Sequence, residues 1–110
     1  MVARKGVRVV HCITFELVGI RLPTETAKLE ATIREMGEAY QFQKTVWFVE
    51  TELGNKQISE RMVAAMRPND RLLVTRIHKD WIMANAPQQE IDWLNGRNFS
   101  GVGDPPLFPR

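Results

Sequence analysis

The chain is poor in the residues that usually announce a mechanism. It has one cysteine, one tyrosine and two histidines in 110 residues. A single Cys12 excludes an intramolecular disulfide, and a lone thiol in an apolar segment points to a reducing, cytoplasmic setting. No apolar run reaches the roughly 18–20 residues that a membrane span requires, so no membrane is expected as a partner. The first 15 residues carry basic groups ahead of an apolar stretch, as a signal peptide does. Arg8 interrupts that stretch, Glu16 closes it and no small-residue cleavage site stands out, which argues against export. There is also no glycine-rich phosphate loop, no paired-cysteine zinc pattern, no HExxH and no GxSxG. Charge of one sign is scarce too. Fifteen Lys and Arg face 13 Asp and Glu, and a net charge of +2 is too small for a strong whole-molecule field around nucleic acid.

What remains is an ordinary globular composition, 44% hydrophobic and 25% charged, in a length that fits one domain. Val7 to Val18 is β-branched and apolar and reads as a long first strand. Pro23 and Thr24 break the chain. Thr24 is suited to cap a helix in which Leu29, Ile33 and Met36 form one stripe, with Gly37 as its stop. Tyr40 to Glu50 reads as two short strands or one kinked strand, with the break near Gln43 and Lys44. A second helix starts at Gly54 or Asn55 and carries Ile58, Met62, Ala65 and Met66 on one face. Pro68-Asn69-Asp70 is a turn, and Arg71 to Ile77 is the last strand. A short helix opens at Pro87 and ends by Gly96. Residues 1–95 thus form the domain, and 96–110, rich in Gly and Pro, form a flexible tail in which Leu107 and Phe108 are the docking candidates.

The order β-α-β-β-α-β is a recurring α+β arrangement, an antiparallel sheet with both helices on one face and here an appended C-terminal segment. Alternation in the central strands adds a second expectation. Val46 and Phe48 share one face and Trp47 and Val49 the other, while Val9 and Ile13 oppose Val10 and Cys12. Both faces are apolar, which one helical layer does not explain. The cover is either the segment carrying Trp81, Ile82 and Trp93 or a second copy of the chain, and a homodimer is expected. Trp47, Val49 and Trp81 are the residues assigned to that core or dimer face.

Candidate chemistry is thin. His11 shares the strand face of Val9 and Ile13 and reads as a core histidine; His78 reads as a surface residue. Burial would raise the pKa of Cys12 and leave it inert. Arg4, Lys5 and Arg8 cluster near the N-terminus and Arg76, His78 and Lys79 near the last strand, as a solvated rim or a phosphate-contacting one. Glu16 ends the apolar part of the first strand, where a carboxylate is an unfavourable choice. It is either a solvated strand end or an oxygen ligand for Mg²⁺ or Mn²⁺, two copies converging across a symmetry axis.

Ile13-Thr14-Phe15-Glu16-Leu17, the run from Gln43 to Thr51, Gln57-Ile58, the run from Pro68 to Val74, Trp81 and Trp93-Leu94 together carry a family resemblance. The chain resembles the small CRISPR-associated ferredoxin-like proteins of the spacer-integration complex and their relatives, the virulence-associated protein D ribonucleases. It is more similar still to short bacterial proteins labelled SinR-like. The resemblance spans Val7 to Leu94 and implies a ferredoxin-like domain that dimerises. It implies one first-strand carboxylate per subunit for metal-dependent phosphodiester cleavage in some members, and a purely structural adaptor in others. Here that position holds Glu16, one methylene longer than the family's Asp. Two functions follow as expectations: an adaptor binding nucleic acid or protein, or a nuclease using Glu16 as catalytic and metal-ligating residue. In either, Arg8, Arg21 and Lys79 are the candidate contacts to a nucleic-acid backbone.

Overall fold

A computed structural model describes residues 7–97 and Phe99. Its elements are β1 (Val9–Glu16), α1 (Pro23–Met36), β2 (Glu38–Gln43), β3 (Val46–Thr51), α2 (Asn55–Ala64), β4 (Arg71–Arg76) and α3 (Gln88–Asn95). The four strands form one antiparallel sheet in the order β2-β3-β1-β4, the α+β ferredoxin-like arrangement expected from the element order. Two interleaved β-α-β units generate it, so β1 and β3 are central and β2 and β4 are edges.

The inner face of the sheet is dictated by alternation. Ile13 and Phe15 of β1 and Trp47 and Val49 of β3 meet Leu29, Ile33 and Met36 of α1 and Ile58 and Met62 of α2. Trp47 is fully buried, and the Arg34 guanidinium lies 4.8 Å from its ring centre. Thr51 ties this layer together: its hydroxyl donates to the Met36 carbonyl at 2.6 Å and accepts from the Leu53 N–H at 3.2 Å. Gly37 joins α1 to β2 where a Cβ would sit 2.1 Å from the Glu50 carbonyl oxygen, so only glycine fits.

Local chemistry moved two boundaries. β1 spans eight residues rather than the expected Val7 to Val18, because Leu17 and Val18 leave the sheet to enter the loop towards α1. Thr24 is not the cap of α1. Pro23 takes the first helical position, which places Leu22 at the N-cap, and the Glu25 carboxylate accepts from the Leu22 N–H at 3.2 Å. Tyr40 to Glu50 is a hairpin of two strands, with Lys44 and Thr45 at its turn.

The outer face is covered by the chain's own C-terminal segment. Val10, Phe48 and Leu94 are buried there, with Cys12, Phe42, Ile77, Trp81, Met83, Trp93 and Phe99 packed around them. Trp81 is therefore on the face opposite Trp47 and Val49, not with them, and Ile82 projects into solvent. Phe99 and Arg97 pack against the domain although both fall in the expected tail. Leu107 and Phe108 lie outside the described residues, as do Arg4 and Lys5.

Candidate functional site

One end of the sheet gathers the loop after β1, the β2–β3 hairpin and the turn before β4. Glu16 stands there at the end of β1, exposed, opposite Arg71 in the strand register, with 3.8 Å between Oε1 and Nη1. An open cavity of about 680 Å³ runs beside it, lined by Phe15, Glu16, Leu17, Gly19, Arg21, Thr26, Lys44 and Thr45. A smaller hollow of about 360 Å³ lies on its other side, between Thr14, Glu16 and the β4 residues Arg71 to Leu73. Gly19 makes the turn that frames the cleft, with φ +79°.

Arg21 is not presented to this cleft as a free cation. Its guanidinium, 9% exposed, donates to the fully enclosed Asp70 carboxylate and to the Val18 carbonyl at 3.1 Å. Asp70 also accepts from the backbone N–H of Val18 at 3.0 Å and of Arg67 at 2.8 Å. Burial alone would raise the Asp70 pKa; the two N–H donors and Arg21 outweigh it and hold the carboxyl below its ordinary value. Arg67 reaches across to Glu25 with two bonds, at 2.6 and 2.9 Å, and lowers that carboxyl's pKa as well. Loop, turn and α1 are thereby locked around the cleft.

The residues suited to a divalent cation are few. Among the described residues no group of three or more His, Cys, Asp and Glu is placed to hold a metal. One chain brings Glu16 alone, with a cation rather than a second carboxylate across the strand pair. Mg²⁺ is commonly held by one or two carboxylates plus water, so one subunit supplies half of the expected donor set at most.

Arg8 and Lys79 are at the opposite end of the sheet from Glu16 and share no cleft with it. Arg8, just before β1, donates to the Glu50 carbonyl at 3.1 Å, and Lys79 is exposed beyond β4. Near them, on the inner face, His11 is buried as expected. Its Nδ1 lies 2.7 Å from Asn55 Oδ1, and Nε2 makes no hydrogen bond. Desolvation lowers the His11 pKa, Asn55 opposes that, and the Arg76 charge adds to it. Burial pushes the Cys12 thiol up, which leaves it unreactive.

An arrangement absent from the sequence reading lies on the outer face. Phe42 stacks on Phe48, with centroids 5.1 Å apart and planes 27° apart; Trp93 of α3 stacks on Phe48 at 6.3 Å and 20°, and meets Tyr40 at 5.6 Å. The Arg97 guanidinium caps the Trp93 ring at 4.5 Å. Alternation of Tyr40, Phe42 and Phe48 signalled aromatic faces, but nothing local signalled which ring of the C-terminal segment would join them.

These features define an α+β domain of the split β-α-β class with its outer face roofed. No family model matches the chain, and no curated protein matches it. Among solved structures it is similar to a hypothetical protein from Thermus thermophilus, with a TM-score of 0.53 and 14% identity, covering 73% of this chain and 95% of that one. At that identity the likeness is one of fold.

Proposed function

We propose that this chain is a small dimeric adaptor that binds nucleic acid or protein. The observation that carries this reading is a set of apolar side chains turned to water beside the cleft. Ile20 is 90% exposed, Leu22 63% and Leu73, on the edge strand β4, 60%. Apolar groups gathered at one end of a small domain are the usual mark of an interaction surface. Arg71 and Glu16, register partners of opposite charge, lie together next to Leu73, so two copies related by a two-fold axis would match acid to base in both directions. The single free Cys12 is the ground for placing the chain in a reducing cytoplasmic setting.

The test is the oligomeric state by sedimentation equilibrium, for the native chain and for Leu73→Glu. A native dimer that the substitution dissociates is expected; a native monomer at concentrations of tens of micromolar sinks the dimeric reading. Binding of labelled oligonucleotides over a salt series then separates the two partner classes, because phosphate contacts weaken steeply with salt.

A second reading keeps the nuclease. It is favoured by Glu16, an exposed strand-end carboxylate at the mouth of a cavity that also holds Lys44. Two such carboxylates brought together by dimerisation would hold Mg²⁺ or Mn²⁺, which lowers the pKa of a bound water. Metal-dependent cleavage of RNA or DNA that Glu16→Ala abolishes is the result this reading needs. Absence of cleavage with either metal removes it.

A further inference from the structure

Among the helices α3 alone roofs the outer face of the sheet, while Ile77, Trp81 and Met83 before it and Phe99 after it pack on the same cluster. Leu94 is buried against Val10 and Phe48, Trp93 lies on the aromatic residues, and polar ties from this region include Gln89 to the Tyr40 hydroxyl at 3.3 Å and Arg97 to Glu50 at 3.4 Å. The segment between β4 and α3 contains no helix or strand, so α3 hangs on an irregular connection.

The manner in which Trp93 is held is specific. Its flat ring lies against Phe48 of the sheet, with 6.3 Å between centroids, and is covered by the Arg97 guanidinium at 4.5 Å, with Tyr40 tilted at its side. That is how proteins hold an unpaired base: stacked on an aromatic ring exposed by a β-sheet and covered by an arginine plane. Phe42 extends the aromatic surface towards the hairpin, where Lys44 follows β2; Arg8, just before β1, stands at the other end. The acids at that end, Glu38 and Glu50, are register partners, and Glu50 is paired with Arg97.

We propose that Tyr40, Phe42 and Phe48 form a stacking platform for the bases of a single-stranded nucleic acid, and that α3 closes it with Trp93 in the place of a base. This rests on the nucleic-acid half of the function proposed above and supplies its substrate class and its control. Displacement of α3 takes Trp93 off Tyr40 and Phe48, and Lys44 and Arg8 bracket the path of a backbone.

The experiment is fluorescence anisotropy with a labelled 12-nucleotide oligouridylate and its oligothymidylate counterpart, on the full chain. Native protein, Trp93→Ala, Trp93→Leu and the double variant Trp93→Ala/Tyr40→Leu are compared, each checked for folding by circular dichroism. The expected result is binding at least tenfold tighter for Trp93→Ala than for the native chain, an intermediate gain for Trp93→Leu, and loss of most of the gain in the double variant. If folded Trp93 variants bind no tighter than native, the proposal is overturned. Equal binding by all four overturns it while leaving a nucleic-acid adaptor standing, and no binding by any overturns both. Should the Trp93 variants misfold, amide exchange of the native chain decides: oligonucleotide at saturating concentration is expected to speed exchange over 88–95, and unchanged exchange there overturns the proposal.

Discussion

Arg21 and Asp70 are 49 positions apart in sequence and are joined side chain to side chain in the fold, with both groups almost wholly withdrawn from water. The pair connects the loop after β1 to the turn before β4, and Asp70 spends its remaining acceptor capacity on two backbone N–H groups. Asp70→Ala leaves the Val18 and Arg67 N–H groups without their acceptor and leaves the Arg21 guanidinium only the Val18 carbonyl and Glu25. It is expected to lower stability by about 1–3 kcal/mol, read from urea unfolding. Arg21→Ala is expected to be costly for the same reason, and the double variant to cost less than the two single losses together.

The same carboxylate makes stability depend on acid. Because Asp70 has a folded pKa below its unfolded value, its contribution is complete above the ordinary aspartate range and is lost as pH falls through the folded pKa. Unfolding midpoints of the native chain are expected to drop below about pH 4. Asp70→Asn is expected to show a shallower drop, measured over the same pH series.

His11 acts in a different window. Its folded pKa is lowered, so between that value and about 6.5 the unfolded chain binds more protons and stability rises with pH. Acidification from pH 7.5 is expected to begin destabilising the native chain near neutrality, before the carboxylates titrate. His11→Gln, less stable at neutral pH, is expected to lose that early slope. An unchanged slope in the variant would show that another group titrates.

Gly37 is tested by a single methyl. A Cβ there would press on the Glu50 carbonyl, which is backbone and held in the β2–β3 pairing. Gly37→Ala is expected to cost about 3 kcal/mol, visible as a fall in Tm. Ala at Gly54, where the nearest atom is the tip of the Gln57 side chain at 4.0 Å, is expected to cost a small fraction of that.

Much of the architecture was legible because periodicity and burial are local signals. Leu29, Ile33 and Met36, and Ile58 and Met62, fall at helical spacing and do face the sheet. The alternation in Val46 to Val49 separated the two faces correctly. It did not say what covers the outer one, since a second copy and the chain's own segment would bury the same side chains. Trp81 was grouped with Trp47 for that reason, whereas the two rings lie on opposite faces of the sheet. Arg21 was illegible as an internal ion because its partner is remote in sequence and reads locally as one member of a turn. Glu16 was correctly placed at a strand end, but a sequence does not display Arg71 opposite it.

The position of α3 has a consequence for synthesis. The inner layer is complete once β4 has been made, but the outer face of the same sheet depends on residues that follow it. At about 5–20 residues per second, some one to four seconds separate the making of Arg76 from that of Asn95. During that interval the nascent domain presents Val10, Phe42 and Phe48 with only Ile77, Trp81 and Met83 of the following segment to shield them. A holdase chaperone that recognises apolar strands would find its substrate at that moment and lose it when Leu94 arrives.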